Sequence, residues 1–139
     1  MNPLLLPYVF NIAVLIPVGL LTLFGGSSGC RWVFQNRFPE NEGIRTILGS
    51  LWTAILGVSF LGLLMPVTMT PLLLIQVIYK SLWLLVFVLP RVIGARCHEV
   101  PWGIAITFLV IVVSYPLVIP WEFLMSPQGL GNVSRGDAR

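Results

Sequence analysis

The sequence predicts an all-α integral membrane protein built as an antiparallel bundle of four transmembrane helices, and three observations predict it. Of its 139 residues, 57% are hydrophobic and only 9% are charged, against about 25% charged in an ordinary soluble domain. Mean hydropathy is +0.94. The apolar residues also fall into four runs near the roughly 20 residues that a helix needs to cross about 30 Å of hydrocarbon. So few charges cannot cover a soluble globule, and a disordered chain would be far more polar. The net charge of +3 is spread along the chain. No stretch concentrates Lys and Arg into a nucleic-acid face, so the expected partner is the lipid bilayer and not nucleic acid.

The first span is expected at residues 4–24, with Pro7, Pro17 and Gly19 inside it and the breakers Gly25 to Gly29 closing it. It lacks the basic start and the small-x-small cleavage site of a secretory signal, and the stretch before Cys30 makes a poor lipobox, so it is expected to stay uncleaved. The second span is expected at 44–65, opened by acidic residues Glu40 and Glu42 that suit a helix N-terminus. The third is expected at 72–89 and the fourth at 102–119. Pro66 and Pro71 separate the second from the third, and Pro90, Pro101 and Pro120 bracket the rest, because proline cannot continue a helical hydrogen-bond ladder. Trp102 and Trp121 sit at the two ends of the fourth span, where interfacial aromatics belong. Residues 126–139 carry three glycines without apolar periodicity and are expected to be a disordered tail. Asn132-Val133-Ser134 within it matches the glycosylation triplet, a short pattern common by chance.

Arg31, Arg37 and Arg45 follow the first span, and Arg91 and Arg96 follow the third. By the positive-inside rule these two loops face the cytoplasm and both termini lie outside, as in a bacterial inner-membrane protein. In the first of these loops, residues 30–38 interleave aromatics with arginines and suit the surface of an anionic leaflet. Cys30 and Cys97 fall in the two loops, where a cytoplasmic setting keeps thiols reduced. With His98 they lack the spacing of a metal site, and no metal is expected.

Lys80 is the most informative residue. Nine residues after Pro71 and ten before Pro90, it lies ~13–15 Å from either end of its span. A lysine at that depth costs roughly 2.5–3.5 kcal/mol on insertion scales, which marks it as a functional-site candidate. Gln76 is four residues earlier on the same helix face, and Tyr79 adjoins it in sequence. Asn11, Ser59, Ser114 and Tyr115 fall at similar depth when counted from the ends opposite the arginines. This distribution predicts a polar pocket open toward the Pro71 end. Glu122, just past Pro120, is the nearest carboxylate. Lys80 otherwise needs water, an anionic ligand, a carboxylate of another subunit, or a structural bond to Gln76 in the neutral or charged state. The candidate ligand-binding set is therefore Lys80, Gln76, Tyr79, Asn11, Ser114, Tyr115 and Glu122, with no catalytic residue. The chain holds no Walker loop, GxGxxG, HExxH or GxSxG, and no pair of carboxylates within a span. Small residues form two rows on the second span, Gly49-Thr53-Gly57 and Ser50-Ala54-Gly62, suited to close helix contact within the chain or between copies.

Arg45-Thr46-Ile47-Leu48-Gly49, leading into Trp52 and Leu56-Gly57, resembles the start of a core helix in DoxX-like proteins, small four-helix bacterial membrane proteins. The resemblance covers about 20 residues and implies a quinone-linked or accessory role. Three functions follow. The first is a non-enzymatic accessory or self-associating subunit, in a homo-oligomer or a larger membrane complex, with a polar intramembrane site around Lys80. The second is a redox subunit in which Lys80, Gln76 and Tyr79 hydrogen-bond a quinone carbonyl. The third is an oligomeric channel or transporter favouring anions.

Overall fold

The structure, a computed structural model, describes residues 2–125; the tail and its glycosylation triplet lie outside the described residues. All regular structure among these residues is helical. Helix α1 spans Leu5–Phe24, α2 Gly26–Val33, α3 Glu42–Leu64 and α4 Thr70–Trp83. A π-helical turn, Leu84–Val88, leads directly into α5, Leu89–Ile93, and a 3-10 turn, Cys97–Glu99, precedes α6, Trp102–Val118. A short α7, Trp121–Met125, follows. Three segments are long and apolar enough to cross a membrane: Leu5–Phe24, Glu42–Leu64 and Thr70–Ile93. Helix α6 is equally apolar but has 17 residues.

The first apolar helix ends at Phe24, where its breakers begin. Gly25 ends α1, Gly26 turns the chain at φ +57°, and α2 begins at once. Gly29 then lies so close to the last turn of α1 that any Cβ there would run into the Leu21 carbonyl. One expectation about helix ends is corrected: Pro90 does not end the third apolar segment, which continues to Ile93. A proline ring collides with the carbonyl four residues back in a regular helix. Here the π turn widens the ladder just ahead of it: the Leu89 N–H donates to Leu84 O, five residues back. Arg91 Nη1 donates to Phe87 O at 3.0 Å, and the guanidinium lies 3.6 Å from the centre of the Phe87 ring.

The long helices associate as two antiparallel pairs. Helix α1 lies along α3, and α4 along α6. Two glycines set the first contact. A Cβ on Gly49 would stand 2.7 Å from Leu23 N and 2.8 Å from Leu23 Cα, and one on Gly62 would enter the Tyr8 ring. Gly57, in the same predicted small-residue row as Gly49, has nothing within 4 Å of its Cβ position. An i, i+4 row drifts around a helix of 3.6 residues per turn, so each predicted row starts or ends at α1 and elsewhere turns outward. Asn41 caps α3 by accepting from Ile44 N at 3.1 Å. Arg45, one turn into α3, donates to Thr22 O and Leu23 O at 3.2 and 3.4 Å. That places a cation on the otherwise unpaired carbonyls at the negative end of α1.

The second pair closes through Leu73, Ile111, Tyr115 and Ile119, which join Leu4 and Tyr8 of α1 in one buried cluster. Trp52, Phe34, Ile104 and Phe108 belong to a second cluster that joins the pairs toward the other end. The two long loops meet there: Arg37 Nη1 donates to His98 O, and Gly103 N–H to Gln35 Oε1 at 3.4 Å. All five loop-side arginines thus belong to one end of the molecule. Cys30, Val33 and Phe34 turn inward, whereas Trp32 is 65% exposed. Only part of the aromatic–arginine stretch is therefore free to face outward.

Gly49→Ala and Gly62→Ala should each lower stability by about 1–3 kcal/mol, the usual cost of forcing atoms into a packed contact. Gly57→Ala should stay within about 0.5 kcal/mol of the parent. Reversible unfolding in mixed micelles measures all three. Equal losses at the three positions would contradict the α1–α3 contact described above.

Candidate functional site

Polar residues buried among apolar helices must find partners within the protein, and here they do so in two groups. The first is a relay between the helix pairs. The Tyr115 hydroxyl donates to Asn11 Oδ1 at 2.5 Å and lies 3.0 Å from Pro7 O. Asn11 Nδ2 donates to Ser59 Oγ at 3.2 Å, and the Ser59 hydroxyl donates to Ile55 O at 2.7 Å. Tyr8 adds a bond to Pro66 O at 2.8 Å. In this relay each hydroxyl has an acceptor and Asn11 uses both ends of its amide.

The second group is incomplete. Lys80 Nζ donates to Gln76 Oε1 at 2.5 Å. The ammonium also lies 4.6 Å from the Tyr79 ring centre and 5.2 Å from that of Phe108, within cation–π range. Lys80 is 2% exposed and Gln76 is fully buried. Because the lysine is only a donor, the amide oxygen of Gln76 must face it. This leaves Gln76 Nε2 without a partner among the described residues. The Trp52 indole N–H and the Tyr79 hydroxyl lie beside each other, but neither attains hydrogen-bond geometry with any group.

These groups line one cavity of about 390 Å³. Asn11 borders it from α1, Trp52 from α3, Gln76, Tyr79 and Lys80 from α4, and Thr107 and Phe108 from α6. At the arginine end its wall is made by Trp32, Gln35 and Gly103. The expected opening toward the Pro71 end is therefore corrected. Lys80 does lean that way, onto Gln76, but the Tyr8–Leu73–Tyr115 cluster and the relay fill the space beyond. The cavity extends instead to where the two loops meet. A second, more apolar cavity of about 340 Å³ lies behind the same wall, with Trp52, Tyr79, Ile104 and Phe108 lining both and Arg45 and Cys30 at its far side.

The structure gathers Lys80, Gln76, Tyr79 and Asn11 at the first cavity, with Tyr115 and Ser59 joined to it through Asn11. Two expected residues lie elsewhere. Ser114 is exposed on the outer face of α6 and turns its hydroxyl back to Val110 O at 2.5 Å. Glu122 is exposed on α7 and does not line the cavity. Depth alone had grouped them, whereas helix rotation separates Ser114 from Tyr115 by about 100°. Trp52 was not in the expected set, although a tryptophan far from both ends of a span, with an N–H to satisfy, is a readable signal.

Cys30 and Cys97 are both free thiols, Cys97 exposed and Cys30 buried. Burial pushes the Cys30 thiol up, Glu40 adds to the shift, and Arg45 opposes it. No group of His, Cys, Asp and Glu suited to a metal occurs among the described residues. At the cavity's loop end, Glu99 receives Arg96 Nε and Nη2 at 2.7 and 2.9 Å, and Arg91 Nε stands 3.3 Å away. The Arg96 hydrogen bonds hold the Glu99 carboxyl below its ordinary value.

Asn11→Ala should cost about 0.6 to 1.7 kcal/mol in an unfolding assay, between the average and the largest values found for hydrogen bonds between side chains of apolar helices. Tyr115→Phe should lie at the lower end, and the double variant should cost less than the sum because the two share one bond. For Glu99, a depressed folded-state pKa means that its stabilisation is complete above the unfolded carboxylate range and is lost as pH falls through its own lower one. Amide exchange over residues 94–100, corrected for intrinsic rates, should therefore rise on acidification, and in Glu99→Gln it should be high throughout. As for relatives, no family model, no curated protein and no solved structure matches this chain.

Proposed function

We propose that the chain is an integral membrane protein whose four apolar helices form a bundle around an internal ligand-binding cavity centred on Lys80. It acts by binding, as a small accessory subunit, and performs no reaction of its own. One observation carries this reading: a cavity of about 390 Å³ with three buried polar atoms on its wall, Gln76 Nε2, Trp52 Nε1 and Tyr79 Oη, none paired among the described residues. Leaving such groups unpaired costs about 1–3 kcal/mol each. Their convergence on one small, otherwise apolar cavity is the usual form of a binding site.

Membrane insertion of all four segments is supported by their outer faces. Ile16 of α1 is 44% exposed, Leu61 of α3 50%, and Ile78 and Val86 of the third segment 52% and 73%. On α6, Val113 is 61% exposed and Leu117 81%. A helix of 17 residues covers about 25 Å, close enough to the hydrocarbon thickness for the bilayer to adapt. The indole N–H groups of Trp102 and Trp121 donate to Cys97 O and Pro116 O at 3.1 and 2.9 Å, fixing an aromatic at each end of α6. The five loop arginines favour the cytoplasm for the end that holds the cavity mouth.

Two measurements test this reading. Protein released from nanodiscs into a native mass spectrometer should carry a bound molecule of defined mass. Filling the cavity with Val18→Trp or Thr107→Trp should eliminate it, and a bare parent protein would remove the reading. For orientation, a membrane-impermeant maleimide should label exposed Cys97 in inverted vesicles and not in intact cells. Cys30, buried and with its thiol pushed up, should react slowly from either side.

A further inference from the structure

The unmet demand at the Lys80 cavity has a definite chemical sign. Every unpaired group on its wall is a hydrogen-bond donor: the Gln76 amide N–H₂, the Trp52 indole N–H and the Tyr79 hydroxyl, which can serve either way. Lys80 brings three N–H donors, of which Gln76 Oε1 takes one. Its other neighbours are the π faces of Tyr79 and Phe108, which attract a cation without accepting its protons as an oxygen does. The chain's acidic residues are Glu40, Glu42, Glu99, Glu122 and Asp137, and none falls within a long apolar helix interior. Among the described residues, a cation and several donors thus surround one space with no carboxylate on its wall. Asn11, Gln35 and Thr107 also border the space, each already hydrogen-bonded, and Leu15, Val18, Ile104 and Ile111 give it an aliphatic side. The cavity reaches the arginine-rich end at Trp32, Gln35 and Gly103, and positive charge there favours anions.

We infer that the ligand is a monocarboxylate carrying one apolar body, with its carboxylate held by Lys80 Nζ and Gln76 Nε2 and its body lying along the aliphatic wall. This rests on the reading that the cavity binds a ligand. One buried cation matches one negative charge, and a carboxylate offers two oxygens with about four acceptor positions for the donors present. A phosphate would bring more charge than Lys80 balances. The volume of about 390 Å³ lies at the small end of ligand cavities, which run from about 300 to 1,000 Å³, and so favours a single short chain or a compact aromatic acid.

The experiment uses the full chain in zwitterionic nanodiscs with isotope-labelled tryptophan, the Trp52 indole resonance being assigned through Trp52→Phe. Decanoate should move that resonance saturably, and a compact aryl carboxylate serves as the second probe; whichever binds more tightly identifies the shape of the body. Decanol and decyltrimethylammonium should bind about tenfold or more weakly, the scale of one hydrogen bond to a charged group. Gln76→Glu supplies Lys80 with an internal counter-ion and should weaken decanoate by a similar factor while the Trp52 resonance keeps its position. Lys80→Met should do the same through loss of the cation. If decanol saturates the site as well as decanoate does, or if both variants retain decanoate, the carboxylate inference is overturned and the cavity reading stands. If no probe moves the Trp52 resonance and cavity-filling Val18→Trp changes nothing, both fall.

Discussion

A polar side chain buried among apolar helices must find its partner within the protein, and most of this structure follows from how that demand is met. At the seam between the α1–α3 and α4–α6 pairs, Tyr115, Asn11 and Ser59 pass hydrogen bonds from α6 to α1 to α3 until the last proton reaches the Ile55 carbonyl. That relay is complete, so the seam closes there around Tyr8, Leu73 and Ile119. Further along the same seam, Lys80 and Gln76 satisfy each other only in part. The helices stand apart at that level, and the cavity is what remains. One half of the seam is sealed by polar pairing and the other is held open with donors on its wall.

Close approach of α1 to α3 is what allows a seam of this shape. Gly49 and Gly62 bring α3 against Leu23 and Tyr8, near opposite ends of α1. With this pair held tightly, Trp52 of α3 meets Tyr79 of α4 and Ile104 and Phe108 of α6, and these four form the wall shared by the two cavities. Arg45 adds a constraint at the same end: it covers the last carbonyls of α1 while Glu40 stands 3.5 Å from its Nε. Arg45, Gly49, Trp52 and Leu56 thus each have a packing or capping role in this chain.

Much of the helical plan was legible. The apolar runs and their prolines place α1, α3, α4 and α6 within about two residues at most ends, because a helix in an apolar medium must be long, apolar and free of breakers. The exceptions have local causes. Pro90 is accommodated by a π turn that no composition signals, and α2 forms from glycine and serine because Gly29 can rest on the Leu21 carbonyl. At the site, Lys80, Gln76, Tyr79 and Asn11 were legible from depth and from i, i+4 spacing. Ser114 and Glu122 were grouped with them because depth carries no information about which way a helix faces.

Composition, the spacing of breakers and the positions of thirteen charged residues are properties of the chain in one dimension. They were sufficient to establish the helical class, the approximate bounds of the long apolar helices, the end of the molecule that gathers arginine, and the place of Lys80 midway along its apolar run. The rotation of each helix, the pairing of α1 with α3 and of α4 with α6, and the end at which the cavity opens depend on contacts between residues far apart in sequence, such as Gly62 with Tyr8 and Tyr115 with Asn11. Only the tertiary structure decided those, because a helix of uniformly apolar surface has no preferred face until small residues and hydrogen-bonding partners on its neighbours select one.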